Sequence, residues 1–207
     1  MARRKKEEAI VHQERIAEAA MELFKTKGIS NTKMDEIAAA AGYGKATLYV
    51  YFKNKQEIIS FLAYYSFSKL KDAIVQAVEV GNERKEIFLG VCKSIESFEK
   101  DYPDFFRMSL GNVTESIEPE SKWAKFTYEV GEEINKIIIQ YLEDGVSSRV
   151  FSKIDNYYEG IFRIWGMVSG LIMISGSKEN YLKSETSFDR EKFLEEGYVK
   201  IYETLLL

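Results

Sequence analysis

Apolar residues over the first sixty positions recur at helical spacing, interrupted twice by glycine. Ile16, Ala20, Leu23 and Phe24 fall at i, i+4, i+7 and i+8, which puts them on one face of a helix expected from about Glu8 to Lys27. Lys25 and Lys27 occupy its last turn, where cations suit the negative end of the helix dipole, and Gly28 offers a left-handed stop. Thr32, with Asp35 three positions on, reads as a hydroxyl N-cap and its acidic partner. The short helix they open carries Met34, Ile37, Ala38 and Ala41 on its apolar side and ends at Gly42. A third helix is predicted from Lys45 to Phe52. On it Leu48 and Phe52 point one way, while Ala46 and Val50 point the other, flanked by Lys45 and Tyr49. Two short helices joined by a tight glycine turn, with small residues from Ala38 to Ala41 permitting close approach, make a helix-turn-helix.

Asn54 and Glu57 form a second capping box, opening a long helix to about Val80 with Ile58, Phe61, Leu62 and Tyr65 on its inner side. Helical periodicity continues over 83–100, 103–110, 120–143, 153–175 and 189–206, with breaks over 111–119 and 176–188. The fold class is therefore all-α. A boundary is expected between a first domain of residues 1–54 and a helical bundle of residues 55–207.

Composition supports this class. The chain has 207 residues, 45% hydrophobic and 30% charged, enough to bury a real core. Its 14% aromatic content, with only 2 Pro and 13 Gly, favours packed helices over a loop-rich scaffold. Charge is uneven: residues 1–60 hold eleven Lys or Arg against eight Asp or Glu, a net of +3 on a chain whose total is −4. A basic end on an acidic protein is the footprint expected where one end meets phosphates, although Arg3, Arg4, Lys5 and Lys6 read equally as a solvated tail.

Enzyme chemistry finds little support. The sequence has no glycine-rich phosphate loop, no metal-ligand cluster and no Ser/His/Asp set, so no metal, no cofactor and no catalytic residue are expected. His12, the single histidine, lies in the first helix, away from any candidate pocket. Cys92 is the only cysteine and reads as a small buried apolar residue, with a redox sensor the minor alternative. No apolar run of signal-peptide length follows the basic start, which points to the cytoplasm. The most apolar stretch, Ile161 to Ser175, falls short of the roughly 20 residues that cross a bilayer and reads as a core or interface helix rather than a membrane contact.

The run Ala41-Gly-Tyr-Gly-Lys-Ala-Thr-Leu-Tyr-Val-Tyr-Phe-Lys-Asn-Lys55 resembles the signature of the tetracycline-repressor (TetR) family. Gly28-Ile-Ser-Asn-Thr-Lys-Met-Asp-Glu-Ile-Ala38 is similar to that family's entry pattern. The resemblance covers about residues 10 to 60. It implies a three-helix DNA-binding domain followed by a ligand-binding and dimerisation bundle, and a transcriptional regulator released from double-stranded DNA by a small effector. It further implies that Thr32 and the start of its helix hold a phosphate, and that Tyr43, Thr47, Tyr49 and Lys55 lie near the sugar-phosphate backbone. Lys45 would donate to guanine, and Val50 would set its methyls against a thymine methyl, with Gly44 and Ala46 beside them on the reading face.

This chain departs from the commonest family pattern at Gly44, where a hydroxyl is frequent, and at Val50, where His or Tyr is frequent. Direct readout therefore looks thin, and DNA shape together with the arm at Arg3 to Lys6 is expected to supply more of the specificity.

Beyond residue 82 no motif carries a chemistry. Aromatic residues stand out instead. The expected effector cavity is lined by Phe88, Cys92, Phe105, Phe106, Trp123, Phe126, Phe162 and Trp165, with Arg163 available to an anionic group, and would suit an apolar or flat ligand. Gly166 and Gly170, four apart, allow close helix approach, and the resemblance implies that the last two helices pair with those of a second copy. A homodimer on a near-palindromic operator follows, since one short reading helix addresses too few base pairs. The alternative from another class is a ligand-binding helical protein, or an enzyme using the aromatic cavity, without specific DNA binding.

Overall fold

The computed structural model describes residues 8–111 and 120–207. The basic arm at Arg3 to Lys6 and most of the break expected over 111–119 lie outside the described residues. Among those described, ten helices form and no strand, with one isolated antiparallel bridge between Phe151 and Leu206.

The first four are α1 (Ala9–Lys27), α2 (Met34–Ala40), α3 (Lys45–Tyr51) and α4 (Lys55–Val80). Gly28 and Gly42 terminate the first two at φ of 81° and 74°, values that a Cβ would strain. The start of α2 differs from expectation by one residue. Its N-cap is Lys33, whose N–H donates to Glu36 Oε2 at 2.9 Å, while the Thr32 hydroxyl turns inward to donate to the Gly28 carbonyl at 2.9 Å. Glu36, one place beyond Asp35, reaches back to the unpaired backbone donor, so the box shifts with it. The box at α4 forms as expected: Glu57 N–H donates to Asn54 Oδ1 at 2.8 Å, and Lys53 N–H to Glu57 Oε2 at 2.7 Å.

The remaining helices are α5 (Arg84–Asp101), α6 (Pro103–Ser109), α7 (Lys122–Ser147), α8 (Tyr157–Ser177), α9 (Glu179–Glu185) and α10 (Arg190–Glu203). Several boundaries move. Helix α7 runs four residues past Glu143, and α8 starts at Tyr157 because Asn156, not a residue near Lys153, caps it, accepting from Glu159 N–H. The expected break over 176–188 contains α9, none of whose residues is buried, so no apolar periodicity announced it. At 21 residues α8 has the length and apolar composition of a membrane span, longer than the fifteen-residue stretch expected.

The chain divides into two compact units. The first takes the described residues up to Phe67 together with 120–128. Its core gathers Ile16, Ala20 and Phe24 of α1, Ile37 and Ala38 of α2, Leu48 of α3 and Phe52, closed by Ile58, Phe61 and Leu62 of α4. Phe52 meets Phe61 edge-on at 5.5 Å, and the Tyr65 hydroxyl donates to Glu18 at 2.9 Å, tying α4 to α1. Burial of an aliphatic or aromatic side chain contributes about 1.5–3 kcal/mol, so these contacts outweigh the weak intrinsic stability of seven-residue helices.

The second unit takes 68–111 and 129–207. Here Phe88, Cys92, Ile95 and Phe98 of α5 pack with Val168 and Ile172 of α8 and Leu194, Tyr198 and Ile201 of α10 in a buried core. Arg190 at the start of α10 donates to Ser175 at 3.1 Å and to Glu96 at 3.3 Å, joining α10, α8 and α5.

Candidate nucleic-acid interface

Leu48 and Phe52 are fully buried, and this fixes which side of α3 faces out. Val50 is 77% exposed and Tyr49 43%, with Lys45, Ala46 and Thr47 also on the surface. The turn before α3 is held by Tyr43 N–H donating to the Ala38 carbonyl at 2.8 Å, and by Leu48 N–H donating to the Gly44 carbonyl at 3.1 Å. Gly44 is the N-cap of α3 in extended backbone, and no side chain caps the first turn.

Lys45 does not project freely. Its Nζ lies 2.9 Å from Asp35 Oδ1 on α2, and both side chains are exposed. The hydrogen bond to Asp35 and its charge hold the Lys45 ammonium above the usual lysine range.

Two of the expected backbone contacts face inward. Thr32 is buried, with its hydroxyl given to Gly28. Lys55 Nζ donates to the carbonyls of Ile29 at 2.5 Å, Thr32 at 3.0 Å and Ser30 at 3.3 Å. Three carbonyls thus receive the three ammonium donors. They belong to the turn between α1 and α2, beyond the end of α1 at Lys27. Lys55 therefore staples that turn.

A cluster that sequence reasoning missed surrounds Tyr43. His12 Nδ1 stands 2.6 Å from the Tyr43 hydroxyl oxygen, and Arg15 Nη1 donates to the same oxygen at 2.7 Å. The His12 ring stacks on Tyr51 at 5.1 Å. A signal was present: His12, Ile16, Ala20 and Phe24 share one i, i+4 row of α1, so the histidine had to sit at the edge of the same packed face.

The nine residues expected to line an effector cavity divide between the two units. Trp123 and Phe126 belong to the first unit, where Trp123 meets Phe61 edge-on at 4.7 Å and Phe126 lies 5.7 Å from Tyr64. In the second unit Phe88, Cys92, Phe105 and Phe106 are buried, Phe88 against Tyr202 at 5.5 Å and Phe106 against Trp165 at 6.2 Å. Burial pushes the Cys92 thiol far up, so it is no thiolate. Phe162 is 61% exposed, and Arg163 is exposed with Glu159 3.7 Å away.

A groove of about 470 Å³ runs along α8 and α10, lined by Gly166, Met167, Gly170, Leu171, Ile174 and Ile201. A Cβ placed at Gly166 or Gly170 would meet nothing within 4 Å, whereas one at Gly197 of α10 would come within 2.6 Å of Leu171. Within the chain, then, Gly197 serves the close approach of α8 and α10. The glycines at 166 and 170 leave an open, shallow face.

Comparison with known proteins gives a consistent picture. Residues 16–60 match the family model described as bacterial regulatory proteins, tetR family. The chain is 32% identical over 130 residues to the HTH-type transcriptional regulator YerO of Bacillus subtilis, covering 60% of this chain and 43% of that protein. It is 40% identical over 60 residues to the HTH-type transcriptional regulator AcrR of Shigella flexneri, covering 29% of this chain and 28% of that one. In both cases the chain spans less than half the length of the relative it matches. Among solved structures, that of FadR from Bacillus subtilis in complex with stearoyl-CoA is similar over 93% of this chain and 98% of that one, with a TM-score of 0.70 and 16% identity. At that identity the likeness is one of fold.

Proposed function

We propose that the chain, whose residues 16–60 match the family model of bacterial tetR regulatory proteins, is a DNA-binding transcriptional repressor that works as a homodimer and leaves its operator when a small apolar or aromatic effector binds. The observation that carries this reading is the exposed side of α3. Leu48 anchors the helix from beneath, while Lys45, Tyr49 and Val50 are exposed on its outer side, Lys45 paired with Asp35. In a major groove Lys45 suits guanine O6 or N7 and Val50 suits a thymine methyl, with Tyr43, Thr47 and Tyr49 beside the backbone. Thr32 and Lys55 contribute by fixing the turn that precedes α2.

The partner on the open face of α8 and α10 is a second copy of this chain. Phe162, Met167, Met173 and Ile174 are all exposed on α8, a large apolar cluster for a protein surface. Two-fold pairing would cover it and place two reading helices on half-sites about 34–36 Å apart. Phe162 and Arg163 then belong to this face rather than to a cavity.

The effector would sit among the aromatics of the second unit, the buried Phe88, Phe105 and Phe106 and the half-buried Trp165. The stearoyl-CoA bound by FadR shows that a helical fold of this kind holds a long apolar chain in that protein. Helix α4 is the covalent route to the reading head, since it begins at the Asn54 cap after α3 and its residues from Ser68 belong to the second unit. An effector that binds one setting of α4 better than another shifts the population of the two.

Selection of bound fragments from a random DNA pool by the purified protein at physiological salt tests the reading. It is expected to return an inverted repeat. Recovery of no motif, with binding that vanishes in salt, would favour a ligand-binding protein or enzyme instead.

A further inference from the structure

The cluster around Tyr43 has a property that follows from counting protons. A phenol oxygen carries one hydrogen and two lone pairs, and an arginine has no acceptor, so the contact from Arg15 at 2.7 Å uses one lone pair. The 2.6 Å contact with His12 Nδ1 then has two solutions. If Nδ1 is bare, Tyr43 gives its proton to the imidazole and shows the solvent only a lone pair, which repels a phosphate oxygen. If Nδ1 carries a hydrogen, the imidazole donates, both lone pairs are engaged, and the phenol proton turns outward to an anionic oxygen. Stacking on Tyr51 at 5.1 Å holds the ring in place for either solution.

We propose that His12, with Arg15, is a positioning residue for the DNA backbone, whose Nδ1–H form converts Tyr43 from a proton acceptor into a donor to phosphate. The proposal rests on the DNA-reading function above and adds a regulation of the same site. A cationic imidazole carries both ring hydrogens, so protonation enforces the donor state, and phosphate binding in turn favours protonation. Affinity for DNA therefore rises as pH falls.

Groups that face the ring include Tyr43 from the turn before α3, Tyr51 from α3 and Arg15 on α1, with Glu8 one turn earlier on the same row of α1. Histidine is the side chain that ordinarily changes charge between about pH 5 and 8, and this chain has one.

The test is equilibrium binding of the full chain to its selected duplex, and to a scrambled one, at about pH 6 and about pH 8. Wild type, His12→Phe, Tyr43→Phe and the double variant are compared. Wild type is expected to bind about tenfold more tightly at the lower pH, a change of the size one charge-assisted hydrogen bond supplies. His12→Phe keeps the stack but lacks the nitrogen that takes the Tyr43 proton, so its affinity should not vary between the two pH values and should not fall below the weaker wild-type value. The double variant should bind no worse than Tyr43→Phe alone.

A pH dependence retained in His12→Phe, or losses that add in the double variant, would overturn the proposal and leave sequence-selective binding intact. Calorimetry of the wild type in buffers of different ionisation enthalpy gives a reading independent of any variant: net proton uptake near neutral pH is expected, and zero uptake would overturn it. Equal binding of selected and scrambled duplexes would overturn the DNA-reading function and this proposal together.

Discussion

Lys45 on α3 reaches across the turn to Asp35 on α2, its Nζ lying 2.9 Å from Oδ1 and 3.0 Å from Oδ2. The reading head thus carries a neutral pair where a lone cation was expected. Asp35→Ala should expose that cation and remove a charge that repels phosphate. Affinity for all DNA is expected to rise, and the slope of log K against log salt to steepen by about 0.9, the release of one counterion. Lys45→Ala should change the slope little and relax preference at one base position, by about 1–3 kcal/mol. Equal losses on every sequence from Lys45→Ala would remove it from direct readout.

Lys55 illustrates the converse, a cation spent inside the protein. Replacing it with methionine leaves the carbonyls of Ile29, Ser30 and Thr32 without their donor. A loss of about 1.5–3 kcal/mol of stability by denaturant unfolding is expected, the range for hydrogen bonds to a charged group. The salt slope of DNA binding should stay as it was. Unchanged stability with a slope shallower by about 0.9 would instead make Lys55 a phosphate contact.

Val50 and Leu48 lie two residues apart on one helix and should behave oppositely. Val50→Ala is expected to leave the unfolding midpoint unchanged, since the side chain is 77% exposed, and to weaken preference for thymine at one position. Leu48→Ala empties a fully buried site and should cost about 2–5 kcal/mol. A Val50→Ala variant that loses stability and keeps its base preference would contradict the assigned role.

The open glycine face gives a separate test of assembly. A Cβ at Gly166 meets nothing within 4 Å in its own chain and the residue is exposed, so the fold of Gly166→Leu is expected to persist by circular dichroism. Sedimentation should show the mass of one chain, where the wild type shows two, and operator binding should fall with it. A dimer unaffected by both Gly166→Leu and Phe162→Glu would place the interface elsewhere.

The helices of the first unit were legible because periodicity, glycine stops and the Asn54–Glu57 box all agree over a short span. The outward side of α3 followed from the wheel alone, with Leu48 buried and Val50 exposed. What escaped depended on contacts distant in sequence. No spacing rule ties Lys55 to the carbonyl of Ile29, or His12 to Tyr43, thirty-one residues away. Helix α9 left no trace because it buries nothing, and α8 started late because Asn156 competed successfully for the cap. Periodicity does not separate cavity-lining aromatics from core ones beyond residue 82, because Trp123 packing on Phe61, Phe88 on Tyr202 and exposed Phe162 obey the same spacing whatever they face.

The central claim is that α3 reads sequence as one half of a dimer. It is tested most directly by titrating the purified protein, at physiological salt, into the duplex it selects and into a scrambled duplex of equal composition. The account predicts a preference of about 10³-fold or more for the selected duplex, with two chains bound per site. Equal affinities for the two duplexes, lost together as salt is raised, would contradict it.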